Sequence, residues 1–125
     1  MARLSDAQVE LFRGANFAVV STVDERGRPQ STMVWVDTDG EDVLFNTTTV
    51  RAKGRHLAET PYASVLVFAD PYRWVEVEGP VETTEDGAAD HIDHLSMKYD
   101  GKPFTRHDNR LIVRVHPERI VEYTG

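Results

Sequence analysis

Residues 62–82 constrain the fold more than any other part of the chain. Positions 62–69 are almost unbroken hydrophobe, as in a strand covered on both faces. Asp70-Pro71 is turn chemistry, and residues 73–82 then alternate, Val75, Val77 and Val81 against Trp74, Glu76 and Glu78. Gly79-Pro80 inside that run predicts a bulge or a barrel corner, because proline donates no ladder hydrogen bond and glycine tolerates a bend.

Further strands are available to cover this hairpin. Residues 17–23 are apolar and β-branched, and Asp24-Glu25-Arg26-Gly27 makes a turn. Residues 30–36 alternate, with Ser31, Met33 and Trp35 on one face and Thr32, Val34 and Val36 on the other. After Asp39-Gly40 a third strand covers 42–46, so the three read as an antiparallel meander. Residues 110–116 and 119–123 close the chain as strands, interrupted at Pro117.

Helix signals are few. Ser5-Asp6-Ala7-Gln8 is a capping box, with Leu4 and Val9 placed for a hydrophobic staple and Gly14 closing the helix. A second short helix ends before Pro61. A third opens at Thr84-Glu85-Asp86, with Ala88, Ile92, Leu95 and Tyr99 on one stripe, and residues 100–109 form a polar loop. Six or seven strands with helices as plugs, and no regular βαβ alternation, predict a mainly-β fold. We expect one domain over residues 1–125, an antiparallel barrel with α+β elements.

Charge narrows the function classes. The formal net charge is −7, against a nucleic-acid binder, which needs a broad basic face. No apolar run approaches the ~18 residues of a membrane span, and the N-terminus enters a helix signal directly, so a cytoplasmic protein without a membrane partner is expected. With no cysteine, disulfides, thiol nucleophiles and zinc fingers are excluded.

On so acidic a chain the segment Asn46-Thr47-Thr48-Thr49-Val50-Arg51-Ala52-Lys53-Gly54-Arg55 stands out. A strand runs into threonines and then into a helix whose opening turns carry three cations. Helix starts present unpaired N–H groups and the positive end of the dipole, so Thr47, Arg51, Lys53 and Arg55 make a candidate phosphate site. A capped surface helix with solvated charges is the alternative. Arg51 and Arg55 share a face, and Lys53 joins them only if Arg51 is the N-cap.

Other candidates are weaker. The strand edge Ser31, Thr32, Met33, Val34 and Trp35 offers N–H and C=O groups and apolar contact to a flat heterocycle, or is plain strand packing. Trp74, beside Tyr72 and Arg73, either stacks on a ring or lies in a dimer interface. His91 and His94 are three apart on a helix without a third metal ligand at suitable spacing, which favours a solvated face and no metal.

Taken together, Gln30-Ser31-Thr32-Met33-Val34-Trp35-Val36, Val43-Leu44-Phe45-Asn46-Thr47, Arg51-Ala52-Lys53-Gly54-Arg55-His56-Leu57-Ala58-Glu59-Thr60-Pro61, Ala63-Ser64-Val65-Leu66-Val67-Phe68 and Val75-Glu76-Val77-Glu78-Gly79 resemble the pyridoxamine 5′-phosphate oxidase-like split-barrel superfamily. The resemblance covers about residues 16–82. Within it the chain is most similar to the small actinobacterial branch that binds the deazaflavin coenzyme F420, in length, in Arg51-x-Lys53 and in Gly27-Arg28-Pro29-Gln30. That resemblance implies a homodimer with the cofactor in a groove between subunits. It implies a phosphate grip at Thr47, Arg51 and Lys53, a ring-cradling strand from Ser31 to Val36, and a partner-subunit contact near Trp74. Arg26, Arg28 and Arg73 are candidate contacts for the acidic tail.

Pyridoxamine phosphate oxidases carry arginine where this chain has Ser31 and lysine where it has Val36, and they extend further at the C-terminus. Vitamin B6 oxidation is therefore not expected. The expected activity is F420-dependent hydride transfer to a small unsaturated or aromatic acceptor. The alternatives are an FMN-binding flavin reductase of the same superfamily and a non-catalytic F420 carrier. Tyr72, Tyr99 and His107 are candidate proton donors, with solvent as the other source, and no catalytic residue is assigned.

Overall fold

A computed structural model of the chain describes residues 2–124. The elements are α1 (Asp6–Arg13), β1 (Phe17–Val23), β2 (Pro29–Val34), β3 (Val36–Thr38), β4 (Val43–Thr48), α2 (Ala52–Glu59), β5 (Tyr62–Asp70), β6 (Arg73–Thr84), α3 (Ala88–Asp100), β7 (Arg110–Val115) and β8 (Arg119–Tyr123). The strands are antiparallel in the order β2-β1-β5-β6-β7-β4-β3, with β8 also on β6. This is the mainly-β split barrel that the sequence predicts.

The hairpin β5–β6 is its axis. The first half of β6 pairs with β8 and the second half with β7, so the strand passes from one half-sheet to the other at Gly79-Pro80. There β7 gives way to β8 through Pro117. The His116 N–H donates to the Pro80 carbonyl at 2.9 Å and the Glu118 N–H to the Glu78 carbonyl at 2.9 Å. The His116 carbonyl approaches Gly79 so closely that a Cβ would collide with it. Only glycine permits this corner.

The inward faces of the two half-sheets pack Val20, Val36, Phe45, Val65, Val67, Val77 and Val113, all fully buried, and α1 closes one end with Phe12. The capping box forms as expected: Gln8 N–H donates to Ser5 Oγ at 3.2 Å, and Ser5 N–H to Gln8 Oε1 at 2.8 Å. Leu4 and Val9 are both buried.

Three expectations need correction. Residues 30–36 are not one strand: β2 ends at Val34 and β3 begins at Val36, raising the strand number to eight. The chain crosses between half-sheets at Trp35, whose ring leaves the alternation and stacks on Tyr99 at 5.6 Å. For the same reason there is no meander, since β4 pairs with β3 and β7, not with β2. Finally, Thr84 still belongs to β6, and α3 starts after Gly87, whose φ of 73° makes the left-handed turn that reverses the chain. Among the described residues no helix is long and apolar enough to cross a membrane.

Candidate functional site

A cavity of about 390 Å³ opens where the half-sheets part. Its walls come from the end of β2 and the crossing (Met33, Val34, Trp35), the end of β4 (Asn46) and the start of α2 (Arg51, Lys53). Ile92 and Leu95 of α3 form an apolar floor, and Phe17 of β1, Phe104 and Arg110 complete the lining.

Local sequence explains the start of α2. Arg51 is its N-cap, in extended conformation (φ −79°, ψ 159°), and its N–H donates to Thr48 Oγ1 at 3.1 Å. Gly54 lies flush on the Thr48 carbonyl, where a Cβ would collide, so the first turn of α2 is pressed against the end of β4. No acidic residue sits in that turn to neutralise the helix dipole. With Arg51 at the N-cap, Lys53 comes round to the cavity, as the spacing required. Its Nζ donates to Thr32 Oγ1 at 3.0 Å.

The third cation is Arg110, only 6% exposed. Its Nη1 donates to Asn46 Oδ1 at 3.2 Å, its Nε donates to the Arg106 carbonyl at 3.1 Å, and the guanidinium lies 4.8 Å from the Phe104 ring centroid. Asn46 Nδ2 in turn donates to the Ala88 carbonyl at 3.0 Å and faces His91 Nδ1 at 3.0 Å. Because the Ala88 carbonyl can only accept, the Asn46 amide is oriented, and His91 Nδ1 must be the unprotonated acceptor.

Electrostatics set these cations apart. Among the described residues no carboxylate pairs with Arg51, Lys53 or Arg110. Burial first, then the charge of Arg51, lowers the pKa of Lys53; burial, then Arg51 and Arg106, lowers that of Arg110. Three cations without a carboxylate partner thus face one cavity, on a chain of net charge −7. Beside it Trp35 is sandwiched, stacked on Tyr99 at 5.6 Å and met edge-on by Phe104 at 5.9 Å. The cavity thus joins a cationic end to an aromatic and aliphatic wall.

Of the residues singled out by sequence, Met33, Val34, Trp35, Arg51 and Lys53 line this cavity, and Thr32 reaches it through Lys53. Ser31 does not: its hydroxyl bonds Ser21 Oγ at 2.8 Å on the outer sheet face. Thr47 shares the core-facing side of β4 with Phe45, is 1% exposed, and its Oγ1 has no partner. Trp74 lies away from the cavity within the protomer, stacked on Tyr123 at 6.1 Å. Arg55 Nη1 turns back to the Val50 carbonyl, and Arg28 pairs with Asp24 at 2.9 Å.

The candidate proton donors are otherwise engaged. Tyr99 Oη donates to the Asn16 carbonyl at 2.7 Å and accepts from the Val36 N–H, and burial raises its pKa. His107 Nε2 lies 2.9 Å from Asp93, while Tyr72 is 66% exposed and outside the cavity lining. His91 turns to Asn46 and His94 to Asp37, and among the described residues no group of three His, Asp or Glu can hold a metal. Arg110, Asn46 and Phe104 escape the sequence reading. Arg110 and Asn46 are 64 positions apart and meet only through the β4–β7 pairing.

Comparison with known proteins now gives the class. The Pyridoxamine 5'-phosphate oxidase family matches residues 4–123, and the chain belongs to that family. It is 38% identical over 98 residues to a pyridoxine/pyridoxamine 5'-phosphate oxidase of Mycobacterium sp. (strain JLS), covering 76% of this chain but 46% of that protein. The chain thus spans less than half the length of that curated relative. Among solved structures it resembles an F420 reductase, with a TM-score of 0.84 and 29% identity over 94% of this chain and 98% of that one. A pyridoxamine 5'-phosphate oxidase-related, FMN binding protein from Nostoc punctiforme PCC 73102 shares the fold at a TM-score of 0.63 and 14% identity, over 86% of this chain and 73% of that one.

Proposed function

We propose that the protein is a cytoplasmic, homodimeric oxidoreductase that uses coenzyme F420 to reduce a small unsaturated or aromatic acceptor. The observation that carries this reading is the carboxylate-free set Arg51, Lys53 and Arg110 at one end of an aromatic-walled cavity. The likeness to an F420 reductase, which extends over nearly the whole of both chains, supports it; the curated oxidases it matches are more than twice as long as the shared segment.

The residues present fit such a group. Arg51, Lys53 and Arg110 would hold its phosphate, and the Val34–Trp35 edge with Phe104 would face its ring. The reduced cofactor supplies a hydride when bound. The protein's own part is to bind, orient and exclude water: charge-assisted hydrogen bonds fix the anionic end, and Ile92, Leu95 and Trp35 keep the cavity apolar. With Tyr99 and His107 engaged, protonation of the product falls to solvent.

Dimerisation has support in the outer sheet face. Phe17, 65% exposed, and Met33, 57% exposed, line the cavity where it opens onto this face, next to half-buried Val19, Leu66, Phe68 and Trp74, an apolar surface that a second copy would cover. Trp74 would there reach the partner's cofactor groove. Competition titration with F420 and FMN tests the cofactor, and equal or tighter FMN binding contradicts it. Turnover with reduced F420 separates an enzyme from a carrier. Sedimentation at micromolar concentration tests the dimer, and a monomer with full F420 affinity refutes the shared groove.

A further inference from the structure

Lys98 and Tyr99, at the C-terminal end of α3, do not line the cavity, yet they hold the segment that does. β3 is the last strand in the sheet order, so one side of it has no strand neighbour. Val36, its first residue, is fully buried, and its N–H and C=O both point to that open side. Buried backbone groups need partners, and two consecutive residues of α3 supply them in place of a strand. Tyr99 Oη accepts from the Val36 N–H at 3.2 Å, and Lys98 Nζ donates to the Val36 carbonyl. Both side chains reach further. Tyr99 Oη donates to the Asn16 carbonyl at 2.7 Å, and Lys98 Nζ donates at 2.8 Å to the Phe12 carbonyl, in the last turn of α1. The Asn16 amide in turn donates to the Leu11 carbonyl at 2.9 Å, and the ammonium of Lys98 lies 5.0 Å from the Tyr99 ring centroid. The end of α1, the start of β1 and the crossing between the half-sheets are thus tied to one pair of side chains.

That crossing presents Trp35 to the cavity. Trp35 directly precedes Val36, so its backbone leads into a residue bonded at both N–H and C=O. Its ring stacks on Tyr99 at 5.6 Å with 10° between the planes, which fixes its tilt as well. The same helix sets the neighbouring walls: it supplies Ile92 and Leu95, and its Asp93 accepts from the Phe104 N–H at 2.9 Å, holding the ring that meets Trp35 at 84°. We propose that Lys98 and Tyr99 are positioning residues of the cavity: acting through Val36, they lock the Trp35 ring as a fixed wall for the planar ring of a ligand whose anionic end lies at Arg51, Lys53 and Arg110. The inference rests on the cofactor reading above and adds a division of labour to it. The pair governs how well the ring is held, and the three cations govern the anionic end. Loss of Lys98 or Tyr99 therefore acts on ring-bearing ligands and spares bare anions.

Fluorine NMR of the fluorotryptophan-labelled protein tests it, with the Trp35 resonance assigned by Trp35→Phe. Tyr99→Phe keeps the stacked ring and removes only the hydroxyl that ties Val36 to Asn16, while Lys98→Met keeps much of the stem and removes the ammonium. In either variant the Trp35 resonance should shift or broaden while that of Trp74, stacked on Tyr123 away from the cavity, stays in place. A Trp35 resonance unchanged in both variants overturns the proposal, and so does equal movement of both tryptophans, which marks a general loosening. Binding gives the second readout. F420 should bind about fivefold or more weakly to Tyr99→Phe, with tripolyphosphate affinity within about twofold of the parent. An unchanged F420 affinity, or equal losses for the two ligands, contradicts the positioning role. If the parent binds tripolyphosphate but no F420, and Trp35 alone still moves in Tyr99→Phe, the positioning of Trp35 stands and the cofactor reading fails.

Discussion

Arg110 and Arg114 lie four residues apart on β7, both cross-strand from β4, yet they have opposite surroundings. Arg114 is met by two carboxylates, Asp39 and Asp42, and its pKa is raised, chiefly by the Asp39 hydrogen bond. Nearby, His116 lies 3.2 Å from Asp42 and 3.2 Å from Glu82. Arg110 is far more buried, has only an amide and a backbone carbonyl as acceptors, and its pKa is lowered by that burial. One end of the strand is electrostatically complete and the other is not. A charge that the protein buries and leaves unneutralised is costly unless something else neutralises it. The contrast separates a cation neutralised within the fold from cations that have no carboxylate partner among the described residues.

The largest expected effect is on binding at the incomplete end. Lys53→Ala removes one charge-assisted hydrogen bond to a phosphate and should weaken cofactor binding by about 1.5–3 kcal/mol, measured by fluorescence titration. Its folding midpoint in urea should hardly move. Binding like the parent in both Lys53→Ala and Arg51→Ala would dissolve the contrast.

Asn46→Ala should lower both stability and affinity, because Arg110 Nη1 loses its acceptor and the Ala88 carbonyl its donor. The stability cost is about 1–3 kcal/mol, read by chemical denaturation. An affinity unchanged at reduced stability would mean that Arg110 holds its place without Asn46.

Acid should act through His91. Burial is the first cause that lowers its pKa below the ordinary 6.5, with Asp37 opposing and His94 and Arg114 adding to the shift. The unfolded chain therefore takes up a proton at higher pH than the folded one. The contribution of neutral His91 is complete above pH 6.5 and is lost as pH falls through the lower, folded value. Protonation would also set a donor against Asn46 Nδ2. Stability measured from pH 7 downward should fall more steeply in the parent than in His91→Gln; parallel curves would contradict this role.

Arg114→Ala should have the smallest effect. Its pair with Asp39 is 36% and 41% exposed, and such surface pairs contribute about 0–1 kcal/mol. A loss well above that range in thermal denaturation would show the complete end to be the more critical one.

How much of this was legible depended on range. The α1 cap, the corner at Gly79-Pro80 and the break at Pro117 are local, and each follows from one or two residues whose backbone options are few. That Arg51 and Lys53 face the cavity was legible because a helix start carries its own signature. The placement of Thr47 was not, because a strand's side chains change face at every residue: its neighbour Asn46 borders the cavity and Thr48 a groove beside it, while Thr47 is buried on the same side as Phe45. The crossing at Trp35 depends on Tyr99 and the site of Arg110 on Asn46, contacts between segments more than 60 positions apart. Alternation alone cannot foresee them.

The central claim rests on the difference between the two arginines, and parallel titration of F420 into Arg110→Met and Arg114→Met tests it most directly. Methionine keeps much of the apolar stem and removes the charge. The account predicts a loss of about tenfold or more in affinity for Arg110→Met and less than about twofold for Arg114→Met, with both variants folded by circular dichroism. Equal affinities in the two variants, or a greater loss in Arg114→Met, would contradict it.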